Sequence, residues 1–285
     1  MTVPFLFDRS SRGKLLISGS GAAEFLQGQV TNDVEALEPG TGAYAALLNH
    51  KGKMRTDMRL LRGEDWIWID TEPEGLAAIA GTVSTYSIGY DVKLEDVSAG
   101  RAILSVLGAD PPGPEHSFTE ADGRITVATD LGYDVICLAA DADAVRAELA
   151  LDEASDEEAE RLRIESGRPR FGRELTGDTM PQEGGINDRA VSFEKGCYVG
   201  QETVARLHWR GKPNRTLRGL KLSVPAAHGD PIVLGEREVG TVGSATVSPT
   251  LGPIALAIVR REAEDGAEVT VAGAAATVVA VPFAR

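Results

Sequence analysis

The hydrophobic pattern of this 285-residue chain changes at Thr216. Before this residue, strand-like runs alternate with segments of helical periodicity, such as the helix predicted over residues 22–30. After it, only short strand-like runs remain, and Gly and Pro separate them. Short strands with such punctuation are typical of a small barrel. We therefore expect an α+β N-terminal region followed by a C-terminal β-barrel domain over residues 216–285.

The N-terminal region has the pattern of two lobes. Three strand-like runs lead into a helix that is predicted to begin at Pro73, and further strands follow it. This order suits an α+β sandwich of ferredoxin-like type, which we predict for residues 42–108. The remaining N-terminal residues, 1–41 plus 109–215, are predicted to form the second, core lobe.

Composition narrows the class of protein. The formal net charge is −14, so the chain has no general attraction to nucleic acid or to anionic membranes. No run approaches the ~18 apolar residues of a membrane span. Two cysteines and four scattered histidines supply neither a disulfide framework nor the ligand spacing of a metal site. We expect a soluble, reduced, cytoplasmic protein without a metal or a membrane partner.

One of the two cysteines lies in the segment K-G-C-Y-V-G-Q-E, residues 195–202. Its two glycines allow close approach of another backbone or a ligand. Cys197 precedes a predicted helix and neighbours Lys195, and both features favour a thiolate. Two interpretations stay open, a reactive group or a small buried hydrophobe. Cys137 lies in an apolar strand-like run and is expected to be inert core.

All eight residues of this segment resemble the signature of the YgfZ family, which is related to the glycine cleavage T-protein. Weaker similarity runs from about Phe25 to the C-terminus. The resemblance implies a T-protein-like fold that closes around a central tetrahydrofolate site, with the core lobe binding the folate. It also implies an association with the assembly or repair of iron–sulfur enzymes and with tRNA modification.

The resemblance also implies which residues contact the folate. Glu183, in M-P-Q-E-G, matches the family's pterin-binding glutamate, and a carboxylate can accept two parallel hydrogen bonds from the 2-amino group and the ring N–H. Phe171 stands where relatives often have a tyrosine near the pterin, so it either stacks on the ligand or belongs to the core. Arg215 resembles the arginine that holds the folate tail.

Three further residues are site candidates. Asp57 matches an aspartate that is essential for aminomethyl transfer in the T-protein, although an ion pair with Arg55 or Arg59 would also explain it. Asp33, in T-N-D-V, resembles a family residue and also suits a turn. Lys195 of the signature joins Asp33 as a predicted cofactor-binding residue, whereas Asp57 and Cys197 are the predicted catalytic residues.

A basic stretch interrupts the acidic chain, because residues 203–229 contain no Asp or Glu. Its cations extend from Arg206 to Lys221, with Trp209 among them. The stretch could hold the glutamate tail of a folate, since carboxylates pair with Arg forks. It could equally bind RNA phosphates, with Trp209 available for stacking. A linker that forms salt bridges with the acidic body is the third interpretation.

These observations support three hypotheses of different classes. The first is a YgfZ-type tetrahydrofolate-binding protein that supports iron–sulfur enzymes, with Cys197 as its reactive group. The second is a folate-dependent aminomethyltransferase, or another one-carbon transferase, that uses Asp57. The third is an RNA-binding accessory protein that contacts tRNA through Arg206 to Lys221. The cysteine signature and the short C-terminal region favour the first.

Overall fold

The structure, a computed structural model, describes residues 4–283. The outermost residues of the predicted ranges 1–41 and 216–285 therefore lie outside the described residues. Within residues 4–283, no helix is long and apolar enough to cross a membrane. The chain divides into two compact units, which are described separately. Unit 1 comprises Met1–Lys51, Arg55–Ser155 and Arg189–Gln201, and unit 2 comprises Gly52–Met54, Asp156–Asp188 and Glu202–Arg285.

Unit 1 is built from two five-stranded sheets and three helices. The strands are β1 (Phe5–Asp8), β2 (Gly13–Ser18), β3 (Thr41–Leu48), β4 (Met54–Arg62), β5 (Trp66–Thr71), β6 (Lys93–Asp96), β7 (Arg101–Leu107), β8 (Phe118–Ala121), β9 (Arg124–Thr129) and β10 (Gly132–Leu138). The helices are α1 (Ala22–Gln27), α2 (Leu76–Tyr86) and α3 (Ala142–Leu149). The sheet orders are β3-β4-β5-β2-β6 and β1-β7-β10-β9-β8.

Strand alternation explains how unit 1 is layered. Successive side chains of a strand point to opposite faces of its sheet. In β5, Ile67 and Ile69 therefore share one core with Phe25 of α1 and Ile79 of α2. Trp68 points the other way and packs with apolar residues of the second sheet. The second sheet buries its other face against α3.

A buried network of charged residues crosses between the two sheets of unit 1. Arg59 of β4 donates from Nε to Asp70 of β5 at 2.7 Å and from Nη1 to Asp134 of β10 at 2.5 Å. Arg12 also donates to Asp70, at 2.8 Å. Buried charges need such partners, because an unpaired one is costly to desolvate. Ser105 completes the set with a hydrogen bond of 2.6 Å to Asp134.

Unit 2 is dominated by a closed six-stranded barrel. Its strands are β11 (Arg215–Leu222), β12 (Pro231–Leu234), β13 (Arg237–Ser248), β14 (Gly252–Arg260), β15 (Glu268–Val271) and β16 (Ala274–Val279), in the order β11-β14-β13-β12-β15-β16. The short helix α5 (Asn187–Ala190) spans the boundary between the units, whereas α4 (Asp156–Glu165) lies in unit 2 and α6 (Gln201–Arg210) begins at the other boundary. The predicted α+β class and the C-terminal β-barrel are confirmed.

The predicted lobe boundaries within the N-terminal region stay predictions. Hydrogen bonding places β2, from the range 1–41, in one sheet with β3 to β6. It places β7, from the range 42–108, in the other sheet. β2 runs antiparallel to both of its neighbours, β5 and β6.

Candidate functional site

Glu183 of unit 2 is held in a compact turn. Its Oε2 accepts a hydrogen bond of 2.9 Å from the amide of Met180. The residue as a whole is only 4% exposed. The chain turns here because the amides of Gly184 and Ile186 donate back to the carbonyls of Met180 and Pro181. A Cβ at Gly184 would lie 2.3 Å from Cδ2 of the buried Leu175, so glycine allows this side chain to pack closely against the turn.

Arg215 of β11 fixes the Glu183 carboxylate from the side. Its Nε donates to Oε1 at 3.1 Å and its Nη2 donates to Oε2 at 3.0 Å, so the pair is bidentate. Nη2 also donates to the carbonyl of Asp178 at 2.7 Å. The residues predicted for the pterin and for the tail are thus direct partners. Three hydrogen bonds reach the carboxylate, which has about four lone-pair positions and retains capacity for a ligand.

Asn187 is a candidate that the sequence did not reveal. It lies four residues after Glu183, is 7% exposed, and neither its amide oxygen nor its amide nitrogen has a hydrogen-bond partner within residues 4–283. Buried amides are normally satisfied. A polar heterocycle with donors and acceptors, such as a pterin, would satisfy this one. The donor set of unit 2 therefore fits a folate.

Phe171 belongs to unit 2 and lies partly at its surface. It is half-buried, and a bridge links its backbone to Leu175 in a turn closed by the hydrogen bond of 2.9 Å from Gly172 to Leu175. The buried Glu174 supports the turn by accepting from the Arg170 amide at 3.0 Å. Half-burial leaves part of the ring available for stacking, and the assignment of Phe171 to the folate stays a prediction.

Asp57 of β4 is a buried carboxylate in unit 1. It is 7% exposed, and Tyr44 of β3 donates from its hydroxyl to Oδ2 at 2.5 Å. Burial raises the pKa of Asp57, against the opposing effects of the Tyr44 hydrogen bond and of Arg12. Burial and the Asp57 charge raise the pKa of Tyr44 well above its usual value, so Tyr44 stays a hydrogen-bond donor.

The ion-pair interpretation of Asp57 is wrong. Arg55 instead donates to Thr82 at 2.7 Å, and Arg59 is taken up by two carboxylates of the buried network. Within the described part of the chain, Asp57 forms no ion pair. The role of Tyr44 was not evident from the sequence, because a tyrosine on a neighbouring strand gives no local signal of its partner.

Asp33 and Lys195 stabilise the backbone of unit 1. Asp33 accepts from Gln27 at 3.0 Å and from the Ala36 amide at 3.2 Å, which is the turn chemistry that the sequence allows. Lys195 donates to the carbonyls of Gln27 at 2.6 Å, Val30 at 2.8 Å and Asn32 at 2.9 Å. These bonds use all three ammonium donors, and burial lowers the pKa of Lys195 to about 8.

The two cysteines have opposite environments. Cys197 is exposed, in the irregular segment that precedes α6. Cys137 is fully buried in the core of unit 1, and burial raises the pKa of its thiol. Lys195 lies two residues from Cys197, but its ammonium is directed at the three carbonyls. An accessible thiol at residue 197 is therefore available for chemistry, whereas the thiol at residue 137 is enclosed.

The basic stretch has two parts in the structure. Its two arginines on the barrel strand β11 are ion-paired, Arg215 with Glu183 and Arg218 with Asp265 at 2.9 Å, whereas Lys221 of the same strand is exposed. The cations at the end of α6 are exposed beside Trp209, whose side chain is 70% exposed. The interpretation as a salt-bridged stretch therefore describes the barrel part, and the anion that the helix part would bind stays a prediction.

Comparison with known proteins defines the class of fold first. A solved structure, the glycine cleavage system aminomethyltransferase T from Bartonella henselae, superposes with a TM-score of 0.88 over 99% of this chain and 86% of that chain, at 22% identity. This likeness establishes a T-protein fold. The predicted T-protein-like fold is thereby confirmed.

Sequence comparison then identifies the family. Residues 3–112 match the GCVT N-terminal domain, and residues 215–284 match the glycine cleavage T-protein C-terminal barrel domain. An aminomethyltransferase of Streptomyces avermitilis is 30% identical in an alignment of 290 positions, gaps included, that covers 89% of this chain and 77% of the relative. One from Staphylococcus carnosus is 28% identical in an alignment of 304 positions, gaps included, that covers 93% of this chain and 82% of that relative. The chain belongs to the glycine cleavage T-protein family.

Proposed function

We propose that the chain binds tetrahydrofolate and transfers a one-carbon unit to it, as an aminomethyltransferase does. The observation that carries this proposal is Asp57, a buried carboxylate at the position predicted for catalysis that is not used in an ion pair. A buried ionisable group with a raised pKa is a candidate for proton transfer. The names of the relatives support the reaction class.

Each unit contributes its own part of this chemistry. In unit 2, Glu183 would accept hydrogen bonds from the pterin, Arg215 orients that carboxylate, and Asn187 offers an unsatisfied amide. In unit 1, Tyr44 fixes the Oδ2 atom of Asp57. When bound, tetrahydrofolate supplies the amine nitrogens that accept the one-carbon unit. Asp57 would hold or move the proton that is exchanged when the amino group leaves as ammonia.

The test compares Asp57→Asn with the exposed control Asp65→Asn. The protein is combined with the other components of a glycine cleavage system, and ammonia release and methylenetetrahydrofolate formation are measured. We expect Asp57→Asn to lower turnover by about 10²-fold or more, with tetrahydrofolate affinity within about two-fold of wild type. Asp65→Asn should match wild type. A wild-type protein that binds tetrahydrofolate but shows no turnover would rule out the transferase.

A second function is favoured by the exposure of Cys197. The chain would then act as a YgfZ-type folate-binding protein that supports iron–sulfur enzymes or their assembly machinery. The exposed cations and Trp209 at the end of α6 would supply a contact for tRNA, since an exposed indole can stack on a base. In this function the accessible thiol, rather than Asp57, carries the chemistry.

Complementation distinguishes the second function from the first. Cells that lack the chain are given wild type, Cys197→Ser, the buried-thiol control Cys137→Ala, or Asp57→Asn. The activity of an iron–sulfur enzyme is then measured in the extracts. If the activity of the iron–sulfur enzyme is lost with Cys197→Ser but kept with Cys137→Ala and Asp57→Asn, the YgfZ-type function is supported. Full activity with Cys197→Ser would exclude a role for this thiol.

A further inference from the structure

A line of polar contacts continues beyond the Tyr44–Asp57 pair of unit 1. The guanidinium carbon of Arg189 lies over the Tyr44 ring, 5.4 Å from the ring centroid. A cation within about 6 Å of an aromatic centroid is attracted to the face of the ring. The hydroxyl of the same tyrosine donates to Asp57 at 2.5 Å. Arg189 therefore contacts the side chain that holds the Asp57 carboxylate.

Loops of the second sheet hold the Arg189 guanidinium. Nη2 donates to Oε1 of Glu115, in the loop before β8, and lies 3.7 Å from Oδ2 of Asp130, in the turn between β9 and β10. His116 adjoins this pair, and burial and the charges of nearby arginines lower its pKa to about 4, so its ring is neutral at higher pH. Nε of Arg189 is enclosed and has no hydrogen-bond partner within residues 4–283. An enclosed donor without a partner costs stability, so hydrogen bonding alone does not explain an arginine at this position.

The backbone around Arg189 is tied to the strand that carries Tyr44. Nδ2 of Asn32 donates to the carbonyl of Tyr44 at 2.8 Å and to the carbonyl of Arg189 at 3.1 Å. The neighbouring Thr31 donates from its hydroxyl to the carbonyl of Ala190 at 2.6 Å. One asparagine thus joins the two residues through their main chains, and the fold fixes the guanidinium over the ring.

The charge of Arg189 makes the Tyr44 hydroxyl a stronger hydrogen-bond donor. Burial and the Asp57 charge raise the pKa of Tyr44, and Arg189 acts in the opposite direction. Burial also raises the pKa of Asp57, and the hydrogen bond from Tyr44 opposes this effect. The other charged groups that face Asp57 are Arg12, before β2, which lowers its pKa, and Glu72, after β5, which raises it.

We propose that Arg189 is a positioning residue for Asp57, which acts through the face of the Tyr44 ring to keep the Asp57 carboxylate ionised. The inference rests on the proposed proton transfer by Asp57. The cation strengthens the hydroxyl as a donor, and a hydrogen bond to the charged form of a carboxyl group favours that form. Removal of the cation should therefore let Asp57 take up its proton at higher pH. Glu115 and Asp130 hold the guanidinium in place.

The test follows the ionisation of Asp57 in variants of Arg189. Arg189→Gln and Arg189→Met remove the charge, and Arg189→Lys keeps it. Arg124→Met is the matched control, because Arg124 is similarly exposed and pairs with Glu148 of α3. One measurement is the acid limb of the pH–rate profile, with the other components of a glycine cleavage system. The second is the pH titration of the ¹³C resonance of Tyr44 Cζ, which reports on Asp57 without turnover and is assigned by its absence from Tyr44→Phe.

Both charge-removing variants should move the acid limb and the midpoint of the resonance to higher pH by about 0.4–0.7 unit. Arg189→Lys should move them by less than half as much, and Arg124→Met should leave them unchanged. In a Tyr44→Phe background, Arg189→Gln should no longer move the acid limb, because the two changes remove the same interaction.

An unmoved limb and midpoint in either charge-removing variant would overturn the inference. A shift of full size in the Tyr44→Phe background would also overturn it, because Arg189 would then act on Asp57 without the ring. Equal shifts in Arg189→Lys and Arg189→Gln would exclude the charge as the cause and overturn it as well. Absence of turnover in wild type would instead overturn the proposed function, and the Tyr44 resonance would still decide whether Arg189 acts on Asp57.

Discussion

Replacement of Lys195 by methionine tests whether this lysine stabilises the fold or binds the folate. Its ammonium donates three hydrogen bonds of 2.6–2.9 Å to backbone carbonyls of the last residue of α1 and of the segment that follows it. Hydrogen bonds to charged groups contribute ~1.5–3 kcal/mol each, so the gross contribution is about 4.5–9 kcal/mol. Burial of the ammonium, which lowers the pKa of Lys195 to about 8, offsets a large part of this sum. We expect a net loss of about 2–4 kcal/mol of unfolding free energy.

Urea denaturation followed by tryptophan fluorescence measures this loss. Trp66 and Trp68 lie in unit 1, so a Trp209→Phe background restricts the signal to the unit that contains Lys195. Lys93→Met is the control, because Lys93 is exposed on β6 and should change stability by less than about 0.5 kcal/mol. Unchanged stability of Lys195→Met, together with weaker tetrahydrofolate binding, would refute the structural role and favour the ligand contact.

Three further predictions concern single groups. Asp70→Asn should destabilise the protein by about 2–4 kcal/mol in urea, because Arg59 and Arg12 each lose one carboxylate partner while Asp134 and Glu72 remain. The pKa of Asp70 is lowered in the folded state, so its stabilising effect is complete only above the ordinary carboxyl pKa; as the pH falls well below ~4 the unfolded state takes up the proton, and the difference from wild type should shrink. Tyr44→Phe removes a hydrogen bond that lowers the pKa of Asp57, so the acid limb of the pH–rate profile should move to higher pH, and an unmoved limb would exclude Asp57 as the titrating group. Iodoacetamide should label Cys197 in the native protein and Cys137 only after denaturation, as mass spectrometry would show; native labelling of the latter would contradict its burial.

The fold was predictable where the signal was local. Short alternating strands punctuated by Gly and Pro predict the barrel, which begins at Arg215, one residue before the predicted boundary. The two sheets of unit 1 were less predictable, because β7 and β6 are neighbours in sequence but lie in different sheets. Sheet membership depends on pairings between distant segments, and periodicity carries no information about them.

The sequence allowed the site residues to be predicted, but it did not reveal which residues they contact. The Glu183 turn follows from its glycines and proline, but its bidentate bond to Arg215 joins positions 32 residues apart. Lys195 contacts carbonyls more than 160 residues away, and this distance concealed its structural role. An ion pair of Asp57 with an arginine two residues away was the alternative that the sequence left open, but Arg55 and Arg59 pair with residues of other elements.

The most direct test of the account is titration of the protein with tetrahydrofolate, comparing wild type with Glu183→Gln and with the exposed control Glu238→Gln. Glu183→Gln keeps the shape of the side chain and removes the charge that would receive the pterin hydrogen bonds. We predict saturable binding to wild type and to the control, and a loss of affinity of roughly ten- to 150-fold for Glu183→Gln. Absence of binding to wild type, or equal affinity of Glu183→Gln with its fold intact, would contradict the account.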